Sequence, residues 1–175
     1  MILKLKRTPG IYLVGFMACG KTTVGKMLAD KLGWHFVDID DDIEARARCS
    51  ITEIFEQRGE EEFRRLEHDA IVTRVRSVER GCPTVVALGG GAFARTDNYE
   101  LVAANGISIW LDCPLRVLQA RVAQSAHRPL ARDQEQFAAL YNARRRSYAR
   151  ADFRIEVTGD DPEPILEGIL GLPIF

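Results

Sequence analysis

Surplus charge is nearly absent: 24 lysines and arginines stand against 25 aspartates and glutamates, a net charge of −1. That balance excludes a global basic field for nucleic acid and an acidic tail. Cysteine is sparse and scattered, at Cys19, Cys49, Cys82 and Cys113, with no C-x-x-C pair. Neither a zinc site nor a disulfide framework is expected, and a reducing cytoplasm is the simplest setting. His35, His68 and His127 fall at no metal-ligand spacing and receive no role. No apolar run approaches the ~20 residues of a membrane span. Met1 to Lys6 alternates apolar and basic residues and is expected to lead into a first strand rather than form a signal peptide. Repeats, low-complexity tracts and linkers are also missing. With 46% hydrophobic residues in 175, a single domain spanning 1–175 around one core is expected.

What is present is a phosphate cradle. Gly15-Phe16-Met17-Ala18-Cys19-Gly20-Lys21-Thr22 fits G-x-x-x-x-G-K-[ST], a loop whose backbone N–H groups wrap the β- and γ-phosphates of a nucleotide. Lys21 supplies a point charge, and the Thr22 hydroxyl is suited to Mg²⁺. The context fits: Ile11 to Val14 reads as a buried strand, and Val24, Met27, Leu28 and Leu32 recur at helical spacing before a Gly33 stop. Strand, loop and helix in that order put the phosphates at a helix N-terminus. Cys19 reads more readily as a small residue tolerated in the loop than as a redox-sensitive thiol.

The remaining pattern alternates. A strand is expected over Trp34 to Ile39, then helix from Asp41 to Arg80 with breaks near Cys49-Ser50 and at Gly59. Thr84 to Leu88 reads as a central parallel strand buried on both faces. Helix Asp97–Ala104, strand Ile107–Leu111 and helix Pro114–Gln124 follow. Polar sequence runs to about Asp133, then helix to Arg150, a strand near Phe153–Val157 and a last helix from Pro162. The expected fold is α/β, a five-stranded parallel sheet with helices on both faces, which binds ligands at the carboxyl ends of its strands.

At the second strand's end, Asp38 and Asp40 are expected on one face with Ile39 packed behind. One carboxylate then serves the metal and the other a substrate hydroxyl. A polar strand terminus leading into the acidic helix start at Asp41 and Asp42 fits equally well. The third strand ends in Gly89-Gly90-Gly91, bare backbone suited to close ligand approach, or simply a flexible turn. Arg64 falls on an apolar face of its helix, seven residues before Ile71, with Glu67 as a partner three residues on. A surface charge pair explains the same spacing. Of Arg144-Arg145-Arg146, ordinarily a solvated face, Arg144 follows Phe137 and Leu140 at helical spacing and is the one placed to point inward. Gln124 to Asp133 reads as a closing lid carrying Arg128 before Pro129, or as a plain connection between helices.

Taken together these segments resemble the shikimate kinases, small P-loop enzymes of the nucleoside-monophosphate-kinase-like group. The resemblance covers most of the chain: Gly15–Thr22 with Thr23-Val24-Gly25, Asp38-Ile39-Asp40, Ile54-Phe55 leading to Gly59-Glu60 and Phe63-Arg64, Gly89-Gly90-Gly91, Arg128-Pro129-Leu130, and Arg144 with Tyr148. It implies a three-layer P-loop kinase fold with acceptor-binding helices over about 40–80 and a lid over about 124–133. It implies that Asp40, Arg64, Arg144 and the glycine run Gly89, Gly90 and Gly91 hold shikimate. Thr22 and Asp38 match the Mg²⁺ positions, and Lys21 and Arg128 attend the phosphates. Ala18, Cys19, Gly20 and Thr23 line the nucleotide loop, while Arg121 and Pro162 flank the adenine. The catalytic set is then Lys21, Asp40 and Arg128. Three departures stand out. Ala18 and Cys19 replace the family's extra glycine and small residue, Asp160 stands where some members carry a basic residue, and the sequence ahead of the lid arginine is atypical.

The expected activity is phosphoryl transfer from ATP to shikimate with Mg²⁺, within aromatic amino-acid biosynthesis, by a cytoplasmic monomer without nucleic-acid or membrane partners. A gluconate or nucleotide kinase is the nearest alternative. A P-loop regulatory switch lacks support because no guanine-reading N-K-x-D pattern occurs, and a catalytically silent binding domain is the third alternative.

Overall fold

The computed structural model describes residues 10–124 and 133–175. Five parallel strands form one sheet: β1 (Gly10–Val14), β2 (His35–Asp38), β3 (Thr84–Ala87), β4 (Gly106–Asp112) and β5 (Phe153–Glu156), in the order β2-β3-β1-β4-β5. β1 lies at the centre, with Ile11 opposite Val85 on one side and Ile107 on the other. Every residue of β1 and β3 is buried, which accounts for their unbroken apolar runs: a sheet covered on both faces has no solvent side to alternate with.

Among the described residues there are seven α-helices, six between strands and the last after β5: α1 (Lys21–Leu32), α2 (Ile39–Ala47), α3 (Ile51–Glu79), α4 (Thr96–Asn105), α5 (Leu115–Ala123), α6 (Gln134–Tyr148) and α7 (Glu163–Leu170), with a 3-10 turn at Ala92–Ala94. α1 packs on β2, β3 and α7, whereas α3 packs on α2, α4 and the 3-10 turn. No helix among the described residues is long and apolar enough to cross a membrane.

Local signals set most boundaries. α1 stops where Gly33 turns left-handed at φ 67°, the conformation that favours glycine after a helix. The Ser50 and Glu53 side chains each satisfy the other's backbone N–H, a capping box that starts α3. The expected break at Gly59 is a kink within α3, at φ 81° and ψ 171°.

The second strand needs correction. β2 ends at Asp38 rather than Ile39, so Asp40 belongs to α2 and not to a strand face. Asp38 caps the new helix by accepting a hydrogen bond from Asp40 N at 3.0 Å, and Asp40, Asp41 and Asp42 fill the first turn, where the helix dipole favours negative charge. The acidic helix start therefore prevailed over strand extension. The ladder gives out at the same place, since Asp38 pairs with Ala87, the last residue of β3.

Candidate active site

The loop from β1 to α1 opens onto a cleft of about 750 Å³ at the carboxyl ends of the strands. Gly20, at φ 100°, turns the chain so that α1 begins at Lys21, and Ala18 takes the left-handed conformation, at φ 63°. The Lys21 ammonium folds back over the loop, donating to Gly15 O at 2.8 Å and Phe16 O at 2.9 Å. Cys19 is fully buried. Its Sγ is 3.7 Å from Lys21 Nζ.

Thr22 donates its hydroxyl hydrogen to Asp38 Oδ2 at 2.6 Å. These are two hard oxygen donors beside a phosphate loop. Among the described residues no cluster of three or more His, Cys, Asp or Glu could cage a metal. Mg²⁺ suits such a sparse set, because it keeps most of its waters and takes one or two protein oxygens together with phosphates.

Asp40 lies deeper. Burial pushes its carboxyl up to about 6, helped by the negative charges of Asp38, Glu67 and Asp41 and opposed by Lys21. Glu67 is almost fully buried. Burial raises its pKa, against the pull of Arg64. Arg64 Nη1 donates to Glu67 Oε1 at 2.8 Å, and the guanidinium lies over the Phe63 ring at 5.2 Å.

These groups converge on the glycine run after β3. A Cβ on Gly89 would stand 2.8 Å from Glu67 Oε2 and 3.0 Å from Asp40 Oδ1. On Gly91 it would stand 2.7 Å from Arg64 Nη2, and on Gly90 3.2 Å from Arg144 Nη1. The run is bare because two carboxylates and two guanidiniums occupy the space that side chains would need. Tyr148 donates its hydroxyl to Gly90 O, tying α6 to the same turn.

Arg121 closes the opposite wall. It donates to Ala18 O at 2.9 Å, to Gly159 O at 2.9 Å and to Asp160 Oδ1 at 3.1 Å. The guanidinium thus bridges the phosphate loop and the turn before Pro162.

Of the expected site residues, Ala18, Cys19, Gly20, Lys21, Thr22 and Thr23 line the cleft from one side. Asp38, Asp40, Gly89, Gly90, Arg121 and Pro162 complete its walls. Gly91 continues the glycine run beyond those walls, and Arg64 and Arg144, also outside them, approach Gly91 and Gly90. Arg128 and nearly all of the expected lid lie outside the described residues. Arg65 is exposed and pairs with Glu62 and Asp69. Asp41, read from the sequence only as part of an acidic helix start, and Glu44 also line the cleft, and Asp160, which the sequence left without a role, is a partner of Arg121.

Known proteins resemble this chain in sequence and fold. A family model described as Shikimate kinase matches residues 17–171. The chain is 42% identical to the shikimate kinase of Persephonella marina over 165 residues, 92% of this chain and 96% of that one. The structure of the Acinetobacter baumannii shikimate kinase in complex with shikimate aligns at TM-score 0.85 and 33% identity, covering 93% of this chain and 90% of that one. A gluconokinase from Sinorhizobium meliloti aligns at TM-score 0.56 and 17% identity, covering 92% and 89%; that similarity is one of fold alone.

Proposed function

The chain belongs to the shikimate kinase family, and we propose that it transfers the γ-phosphoryl group of ATP to the 3-hydroxyl of shikimate, a step in aromatic amino-acid biosynthesis. The convergence of Asp40, Arg64 and Arg144 on the glycine run, beside the phosphate loop, carries this reading. Shikimate offers one carboxylate and several hydroxyls. Two guanidiniums suit the carboxylate, and an aspartate suits the hydroxyls.

The loop amides and Lys21 hold the phosphates and oppose the charge that develops during transfer. Thr22 and Asp38 are the residues that would hold Mg²⁺, which supplies further positive charge against the β- and γ-phosphates. Asp40 orients the attacking hydroxyl and accepts its proton, a role helped by a pKa raised toward neutrality. Arg121 and Pro162 flank the adenine, and Arg128 attends the phosphates, as the family resemblance implies. Near-zero net charge supports a small-molecule role without a nucleic-acid partner. A cytoplasmic monomer completes the proposal, with sedimentation as the check on its oligomeric state.

A coupled ADP-release assay with MgATP and a panel of acceptors tests the reading. Shikimate should stimulate turnover far more than gluconate, AMP or CMP. Equal turnover with gluconate, or none with shikimate, overturns it.

A further inference from the structure

Asp112, the last residue of β4, is a buried carboxylate outside the cleft walls. Arg145 of α6 grips it with a fork, one Nη on each oxygen, the Oδ2 contact at 3.1 Å. Arg154 of β5 binds the same Oδ2 from the other side, with Nε at 2.8 Å. The Arg145 guanidinium also lies over Trp110 at 4.8 Å and Tyr141 at 5.3 Å. Tyr141 accepts from Arg145 at 2.7 Å and donates to Cys113 O at 3.0 Å. Two residues of α6, one turn apart, are therefore locked to the end of β4.

The neighbouring stripe of α6 faces the site. Phe137 and Tyr141 pack edge-on against Phe16 of the phosphate loop at 5.2 and 5.6 Å. Arg144 lies over the same ring at 5.8 Å and reaches Gly90, and Tyr148 holds the Gly90 carbonyl. Successive helical residues are about 100° apart, so fixing where Arg145 points also fixes where Arg144 points. A turn of about 10° would move a guanidinium standing about 9 Å from the helix axis by about 1.5 Å. Displacements of that size spoil a catalytic geometry.

We infer that Arg145, held by Asp112, is a positioning residue for the acceptor site: it sets the rotation of α6 that aims Arg144 at the glycine run. The inference rests on the acceptor reading above. Arg154 supplies the control, because it binds the same carboxylate but belongs to β5 and touches no residue of α6 among its hydrogen bonds and ion pairs. Arg145→Lys and Arg154→Lys each keep the charge and lose a planar donor set, so each should lower the melting temperature.

Only Arg145→Lys should also raise the shikimate KM and dissociation constant, by about tenfold, with the ATP KM within about twofold of the parent. Equal acceptor effects in the two variants, or an unchanged shikimate titration in Arg145→Lys beside a lowered melting temperature, would make the pair a stabiliser only and overturn the inference. Failure of the unaltered protein to phosphorylate shikimate would instead overturn the acceptor reading beneath it.

Discussion

Thr22 and Asp38 meet in a 2.6 Å hydrogen bond, hydroxyl to carboxylate, that joins the first turn of α1 to the start of α2. The other oxygen of Asp38 caps α2 at Asp40 N. One carboxylate thereby fixes the helix that carries Asp40 relative to the phosphate loop. The distance between the phosphate loop and Asp40 depends on this contact.

Thr22→Val keeps the side-chain shape and removes a hard oxygen donor. The Mg²⁺ concentration giving half-maximal rate should rise, with shikimate binding little changed. Asp38→Asn should act in the same direction, because asparagine still caps a helix but carries no charge. If the metal titration of both variants overlays that of the parent, these residues are not the metal-associated pair.

Lys21→Met removes the amine while keeping a long side chain. Phosphoryl transfer leans on electrostatic stabilisation, and losing one such group costs roughly 10²- to 10³-fold in kcat. Single-turnover rates measure it directly. Near-normal kcat in this variant is incompatible with the role assigned to Lys21.

Arg64→Lys retains charge without the planar fork that meets Glu67 and the glycine run. A charged hydrogen bond is worth roughly 1.5–3 kcal/mol, or about 10- to 150-fold in acceptor affinity. ATP affinity should stay close to that of the parent. Calorimetric titration with each ligand separates the two effects, and an unchanged shikimate titration in both Arg64→Ala and Arg144→Ala refutes the assignment.

Gly91→Ala tests the same contact from the backbone side. The added methyl would stand 2.7 Å from Arg64 Nη2, and the mobile end of a long side chain can move aside. The fold should survive while Arg64 is pushed off its position. Acceptor KM should rise by an amount comparable to that of Arg64→Lys, and a shikimate KM equal to the parent's would show that Arg64 need not lie there.

Asp40→Asn should separate activity from stability. The native carboxyl is raised from 3.8 to about 6, so between those pH values the folded protein binds more protons than the unfolded chain. The stabilisation from this group is complete below about 4 and is lost as pH rises through about 6. At pH 7.5 the parent therefore carries a buried charge that the amide does not, at most about 3 kcal/mol. The variant should lose kcat steeply yet melt higher relative to the parent at pH 7.5 than at pH 4.5. A melting difference that does not vary with pH would count against the buried, raised carboxyl.

Local chemistry in the chain was enough to determine the phosphate loop, the strand–helix alternation, the Gly33 stop and the kink at Gly59. Each depends on neighbours within a few residues, through backbone conformation, capping or helical periodicity. Asp40 was misplaced on an extended strand because strand and capped helix compete locally. The decision came from where the β3 ladder runs out, a contact with residues far along the chain.

Which arginine of Arg144-Arg145-Arg146 turns inward was likewise a tertiary outcome. Helical spacing pointed to Arg144, but the partner that holds Arg145 away from the site is Asp112, thirty-three residues earlier. The glycine run was legible as bare backbone, and the reason for its bareness was not. Carboxylates and guanidiniums from α2, α3 and α6 fill that volume, and only packing the helices around the sheet brings those groups together.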